Sequence, residues 1–121
     1  PEVGSAWNNL GGVLQAKGDL EGADRAYRRA LAVKRTRFGA QHPSVAITLN
    51  NLAVNARRRG RPEEAEALYR RALTALGTVE RDHPNRLLTQ RNYAKLLRGL
   101  GRDAEAARLE QLGKNRRLPA V

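Results

Sequence analysis

An all-α solenoid of three antiparallel helix pairs is the fold this sequence predicts, and three observations predict it. Tyr27-Arg28-Arg29-Ala30-Leu31 recurs letter for letter as Tyr69-Arg70-Arg71-Ala72-Leu73, 42 residues downstream. A shift of 41 carries His42-Pro43 to His83-Pro84, Gly60-Arg61 to Gly101-Arg102 and Glu64-Ala65 to Glu105-Ala106. The apolar content rests on Ala, Leu and Val, with only 4% aromatic residues, which favours helices over strands. A period of this length describes units that bury their apolar faces on one another.

The first helix is expected over about 4–17, with Trp7, Leu10, Gly11 and Leu14 on one face and Gly18 as its stop. The second runs over about 20–37, with Glu21 and Asp24 near its start, where the helix dipole favours anions. Its apolar side is Ala23, Ala26, Tyr27, Ala30, Leu31 and Val33. Gly39 to Pro43 breaks it, and Pro43 opens a third helix to about residue 59, with Val45, Leu49, Leu52, Ala53 and Ala56 on one stripe. Gly60 ends that helix and Pro62 opens a fourth, which repeats the apolar pattern of the second at Ala65, Leu68, Tyr69, Ala72 and Leu73.

After a second long turn, Arg81 to Pro84, a fifth helix covers about 84–100 and a sixth about 103–114. The sixth has a thinner apolar face (Ala106, Leu109, Leu112). Glu110 stands where Tyr69 stood, so this unit reads as a cap. A basic tail follows over 114–121. Short turns inside each pair make its helices antiparallel. Gly11 with Ala23, Ala53 with Ala65 and Ala94 with Ala106 are the expected close contacts, with Tyr27 and Tyr69 plugging the grooves between successive pairs.

These positions resemble the tetratricopeptide repeat. Trp7, Leu10, Gly11, Leu14, Gly18, Ala23, Tyr27 and Ala30 carry its spacing in the first unit. Leu49, Leu52, Ala53, Gly60, Ala65, Tyr69 and Ala72 carry it in the second, and Tyr93, Ala94, Leu97, Gly101 and Ala106 in the third. The ordinary repeat has about 34 residues; the 41- or 42-residue period here, with its His-Pro turn, is similar to the longer repeats of kinesin light chains. The resemblance implies one array over 1–121, with units at about 4–38, 43–80 and 84–116, wound as a right-handed superhelix.

It also implies a binding function. In the family, the first helix of each pair lines a concave surface on which partner peptides lie. Carried over, that surface comprises Asn8, Asn9, Gly12 and Gln15, then Ile47, Asn50, Asn51, Val54, Arg57 and Arg58, then Leu88, Arg91, Asn92, Lys95 and Arg98. Asn9, Asn51 and Asn92 are expected in register as a ladder, each offering a donor and an acceptor to peptide backbone. The alternative is that each Asn bonds its own or the neighbouring helix. Arg91, Lys95 and Arg98 share a helix face, and with Arg57 and Arg58 they surround the same surface. The carboxylate clamp of chaperone-binding members is matched only at Asn51; Asn8, Gly12, Leu88 and Asn92 depart from it.

The net charge of +11, from 23 basic against 12 acidic residues, suits an acidic partner. The leading reading is a scaffold that binds an extended acidic peptide of a protein partner. Two further readings stay open: nucleic acid or another polyanion on the basic surface including Arg57 to Arg61 and the tail, and self-association through the uncovered N-terminal end near Trp7. No catalytic constellation, phosphate loop, metal cluster or cofactor motif is visible, so no enzyme activity and no cofactor are expected. His42 and His83 read as turn residues. No run of about 18 apolar residues suggests a membrane span, no cysteine requires oxidation, and a cytoplasmic location is expected. The absence of an initiator Met fits an excised fragment.

Overall fold

The computed structural model describes residues 2–77 and 83–115. The start of the second long turn, at Arg81 and Asp82, and the tail after residue 115 lie outside the described residues. Six helices follow one another: α1 (Glu2–Ala16), α2 (Leu20–Phe38), α3 (Pro43–Arg58), α4 (Pro62–Ala75), α5 (Pro84–Gly99) and α6 (Asp103–Asn115). There is no strand among the described residues.

The same turn closes each pair. Gly18, Gly60 and Gly101 have φ of 87°, 76° and 78°, a region in which a β-carbon is strained. The next amide in each turn, of Asp19, Arg61 and Arg102, donates back to the carbonyl of Leu14, Ala56 and Leu97 at 2.9, 2.9 and 2.8 Å. This is the hydrogen bond of a Schellman motif, and it reverses the chain within a few residues. The following helix starts differ. Asp19 accepts the Gly22 amide at 2.9 Å, while α4 has Pro62 in its first turn and no side-chain cap. At the turns that open α3 and α5, the ring Nδ1 of His42 accepts the Ser44 amide and that of His83 accepts the Asn85 amide, at 3.0 and 3.1 Å. The two histidines are helix caps.

Within pairs, α1 packs on α2, α3 on α4 and α5 on α6; between pairs, α2 meets α3 and α4 meets α5. The backbones of the odd helices also approach one another, α1 to α3 and α3 to α5, whereas those of α2, α4 and α6 stay further apart. The odd helices thus form the tighter inner layer and the even helices splay outside it. Ala23, Ala53, Ala65, Ala94 and Ala106 are all buried in one continuous core with Leu52, Leu76 and Leu97. Gly11 is buried too, and its close neighbour is the Tyr27 ring: a β-carbon there would stand 2.5 Å from Cδ1 and Cε1. Tyr27 therefore also packs inside its own pair, where its hydroxyl donates to Gln15 Oε1 at 2.8 Å. Tyr69 reaches the next pair as expected, stacking on Tyr93 with ring centres 5.5 Å apart.

Ion pairs tie the pairs together along the edge where these turns lie. Arg59, with a side chain only 8% exposed, reaches Glu21 at 2.7 Å and Asp24 at 3.3 Å across the first seam. At the second seam Arg102 donates two bonds of 2.7 Å to Glu66, and the Tyr93 hydroxyl adds a third of 2.7 Å. Arg70 reaches the same carboxylate at 2.9 Å. Arg102 first, then Tyr93, hold the Glu66 carboxyl down at a pKa of about 2 against the opposing cost of burial. Glu66 is the register partner of Asp24, so the repeat preserves an acid at each seam.

Candidate functional site

The inner layer presents the face that the sequence marks for binding. On α1, Asn9 is exposed and Asn8 half-buried; on α3, Asn51 and Val54 are half-buried and Arg57 and Arg58 exposed; on α5, Leu88, Arg91, Lys95 and Arg98 are exposed and Asn92 is half-buried. Ile47 and Leu88 are 39% and 45% exposed, which leaves an apolar contact on each of the last two inner helices. Asn50 differs: it is 5% exposed and sealed between α3 and α5.

Asparagines do link the inner helices, in a register other than the expected one. Asn8 Oδ1 accepts from Asn51 Nδ2 at 3.1 Å and from the Thr48 hydroxyl at 3.2 Å. One seam further on, Asn92 Nδ2 donates to Asn50 Oδ1 at 3.3 Å. The rungs are thus Asn8–Asn51 and Asn50–Asn92, and Asn9 lies outside them. The physical reason is the offset between adjacent helices, which brings residues on neighbouring turns together. Each rung occupies one acceptor and one donor, leaving Asn8 its amide donors and Asn51 its carbonyl acceptor. Thr48, wholly buried, was not marked by the sequence; a hydroxyl on an otherwise aliphatic stripe was the available signal.

The cations divide into two groups. Arg98 is turned towards α6 and pairs with Glu110, so it is neutralised within its own pair. Arg57, Arg58, Arg91 and Lys95 form no ion pair among the described residues, whereas Arg28, Arg59, Arg61, Arg70 and Arg102 all do. Two of the unpaired cations act on the tyrosines beneath them. Burial raises the Tyr27 pKa and takes that of Tyr69 to about 12, while the charges of Arg58 and Arg57 respectively pull the other way. Among the described residues no group of three or more His, Cys, Asp or Glu could hold a metal ion, and no helix is long and apolar enough to cross a membrane.

The sequence profile of the tetratricopeptide repeat matches residues 2–78. The chain belongs to the tetratricopeptide repeat family. A comparison with curated proteins found none that matches. Among solved structures, the chain is similar to the nearly identical tetratricopeptide-like repeats assigned to a kinesin light chain of Podosopora anserina. It superposes with a TM-score of 0.80 at 24% identity, and on a substituted form of the same repeats with 0.81 at 22%. The alignments cover 95% and 98% of this chain but 56% and 59% of those chains, so it spans little more than half their length. At that identity the likeness establishes the fold alone, an array of tetratricopeptide-like helix pairs. Tetratricopeptide repeats generally mediate protein–protein interactions, and Arg57, Arg58, Arg91, Lys95 and the asparagine rungs of this array lie on the inner helices.

Proposed function

We propose that the inner-helix face binds an extended acidic peptide of a partner protein. The observation that supports this reading is a group of cations without counter-ions on one face. Arg59 and Arg102 at the seams and Arg61 in a turn are paired with acids, while Arg57, Arg58, Arg91 and Lys95 have no acid partner among the described residues. Peptide carboxylates would supply the missing charge, Asn9, Asn51 and Asn92 would hold backbone, and Ile47, Val54 and Leu88 would take apolar side chains. Arg98, occupied by Glu110, and Asn50, sealed in the seam, would support the face rather than touch the peptide.

The test is titration of labelled acidic peptides and their Ser-substituted counterparts, at two salt concentrations. Arg57→Ala with Arg91→Ala should weaken the acidic peptides about tenfold, the worth of two exposed pairs, with helicity unchanged. Equal affinity in the double variant would remove these residues from the site.

A second reading, end-to-end association, has its own observation. Leu49 and Leu52 of α3 are 2% and 0% exposed beneath α2, but Leu10, the register partner of Leu52, is 42% exposed and Trp7, the partner of Leu49, is only half-buried. Val3 and Val13 extend that apolar end. Sedimentation over a range of concentrations should then show a dimer that Leu10→Lys abolishes.

A further inference from the structure

Where α2 and α4 splay apart they leave a cavity of about 200 Å³. Its floor is α3: Val45 and Leu49 line it, 1% and 2% exposed, with Ala75 of α4 beside them. Arg35 lines it from α2 and Arg71 from α4. Neither forms an ion pair among the described residues, in a molecule where most seam arginines have one. The C-terminal end of α2 accounts for a cation at Arg35, which lies in its last turn. No helix end accounts for Arg71, since the last turn of α4 carries no basic residue. Burial first, then the charges of Arg35 and Arg28, depress the Arg71 pKa. Arg28 is engaged by Asp24 and Glu64, so the uncompensated pair is Arg35 and Arg71.

We propose that this outer cleft binds a small amphiphilic carboxylate, its charge held by Arg35 and Arg71 and its hydrocarbon body seated on Val45 and Leu49. A guanidinium fork matches the two oxygens of a carboxylate, and two forks surround one. A bare inorganic anion would lose hydration against the aliphatic floor and recover nothing there. Pockets for drug-sized ligands run to about 300–1,000 Å³; the smaller space here suits a body of about ten heavy atoms. That chemistry is shared by a free organic acid and by the last residue of a chain ending in an apolar side chain. The cleft belongs to the outer layer, so it is independent of peptide binding on the inner helices.

The experiment is an amide-resolved NMR titration of the full chain with 3-phenylpropanoate, N-acetyl-leucine, neutral 3-phenylpropanamide and inorganic phosphate. Both acids should give saturable shifts at Gln41, Thr74 and Ala75, with dissociation constants of roughly millimolar order, the scale for about a dozen heavy atoms. The neutral amide and phosphate should not saturate. Tighter binding of N-acetyl-leucine assigns the cleft to a chain terminus, and tighter binding of 3-phenylpropanoate assigns it to a free acid. Arg71→Gln, and separately Arg35→Gln, should weaken the acids about tenfold, the worth of a charge-assisted hydrogen bond. Arg91→Gln, on the inner face, should leave them unchanged, so failure here and failure of the peptide site are separable. No saturable shift with either acid, equal binding of phosphate, or undiminished binding in both arginine variants overturns the proposal.

Discussion

A β-carbon on Gly11 would stand 2.5 Å from the Tyr27 ring, and the ring cannot swing away without leaving the Gln15 carbonyl that its hydroxyl bonds. Gly11→Leu should therefore destabilise the array by about 1–3 kcal/mol through overpacking, read from urea unfolding. Gln90 poses the opposite case. It takes the register position of Leu49, is 8% exposed, and its Oε1 has no hydrogen-bond partner among the described residues. A buried acceptor without a donor costs on the order of 1–3 kcal/mol, so Gln90→Leu should raise the unfolding midpoint; a lowered midpoint would mean that the amide has a donor after all. His42 acts through one atom, the ring nitrogen that accepts the Ser44 amide. Replacing it by Ala should cost about 1 kcal/mol, while Asn, which can accept the same bond, should restore most of it.

At the scale of elements, Glu66 of α4 is the meeting point of three helices, touched by Arg102 before α6, Tyr93 of α5 and Arg70 of its own helix. Its folded pKa, about 2, lies below the value of about 4.3 for an unrestrained Glu. A depressed carboxylate stabilises the fold fully above the unfolded pKa and loses that contribution as pH falls through the folded one. Stability followed from neutral pH downwards should thus fall between about pH 4.3 and 2, and Glu66→Gln should flatten that decline while costing about 1–3 kcal/mol at neutral pH. A pH profile identical to that of the parent would assign the acid sensitivity elsewhere.

The elements themselves were legible because glycine and proline mark their ends. Gly18, Gly60 and Gly101 carry the positive φ that reverses the chain, and Pro43, Pro62 and Pro84 open helices. Side-chain partners across helices were less legible. Sequence spacing places Asn9, Asn51 and Asn92 in one register, but the helix offset selects Asn8 with Asn51 and Asn50 with Asn92. Likewise, spacing along α5 groups Arg98 with Arg91 and Lys95, whereas Glu110 of α6 draws it aside. The cleft of Arg35 and Arg71 left no mark in either helix, because it exists only where two outer helices part.

For the molecule as a whole, stability is shared between neighbours rather than drawn from one centre. The middle pair is covered on both sides, while among the described residues of α6 Ala106 is fully buried and Leu112 is 50% exposed. Amide exchange should accordingly be slowest in α3 and α4 and fastest in α6, with sub-global opening from that end. Equal protection along the array would mean that it unfolds as one unit.

The arginine–carboxylate contacts between pairs have a mechanical consequence. They gather along one margin of the stack, near Arg59 and Arg102, while the turn across from the first of them is held by the Phe38–His42 ring stack, centres 4.3 Å apart. Added salt screens sheltered pairs such as Arg59 with Asp24 only weakly and leaves the ring stack untouched. Ionic strength should then change the pitch of the array little, and small-angle scattering at low and high salt should give nearly the same curve.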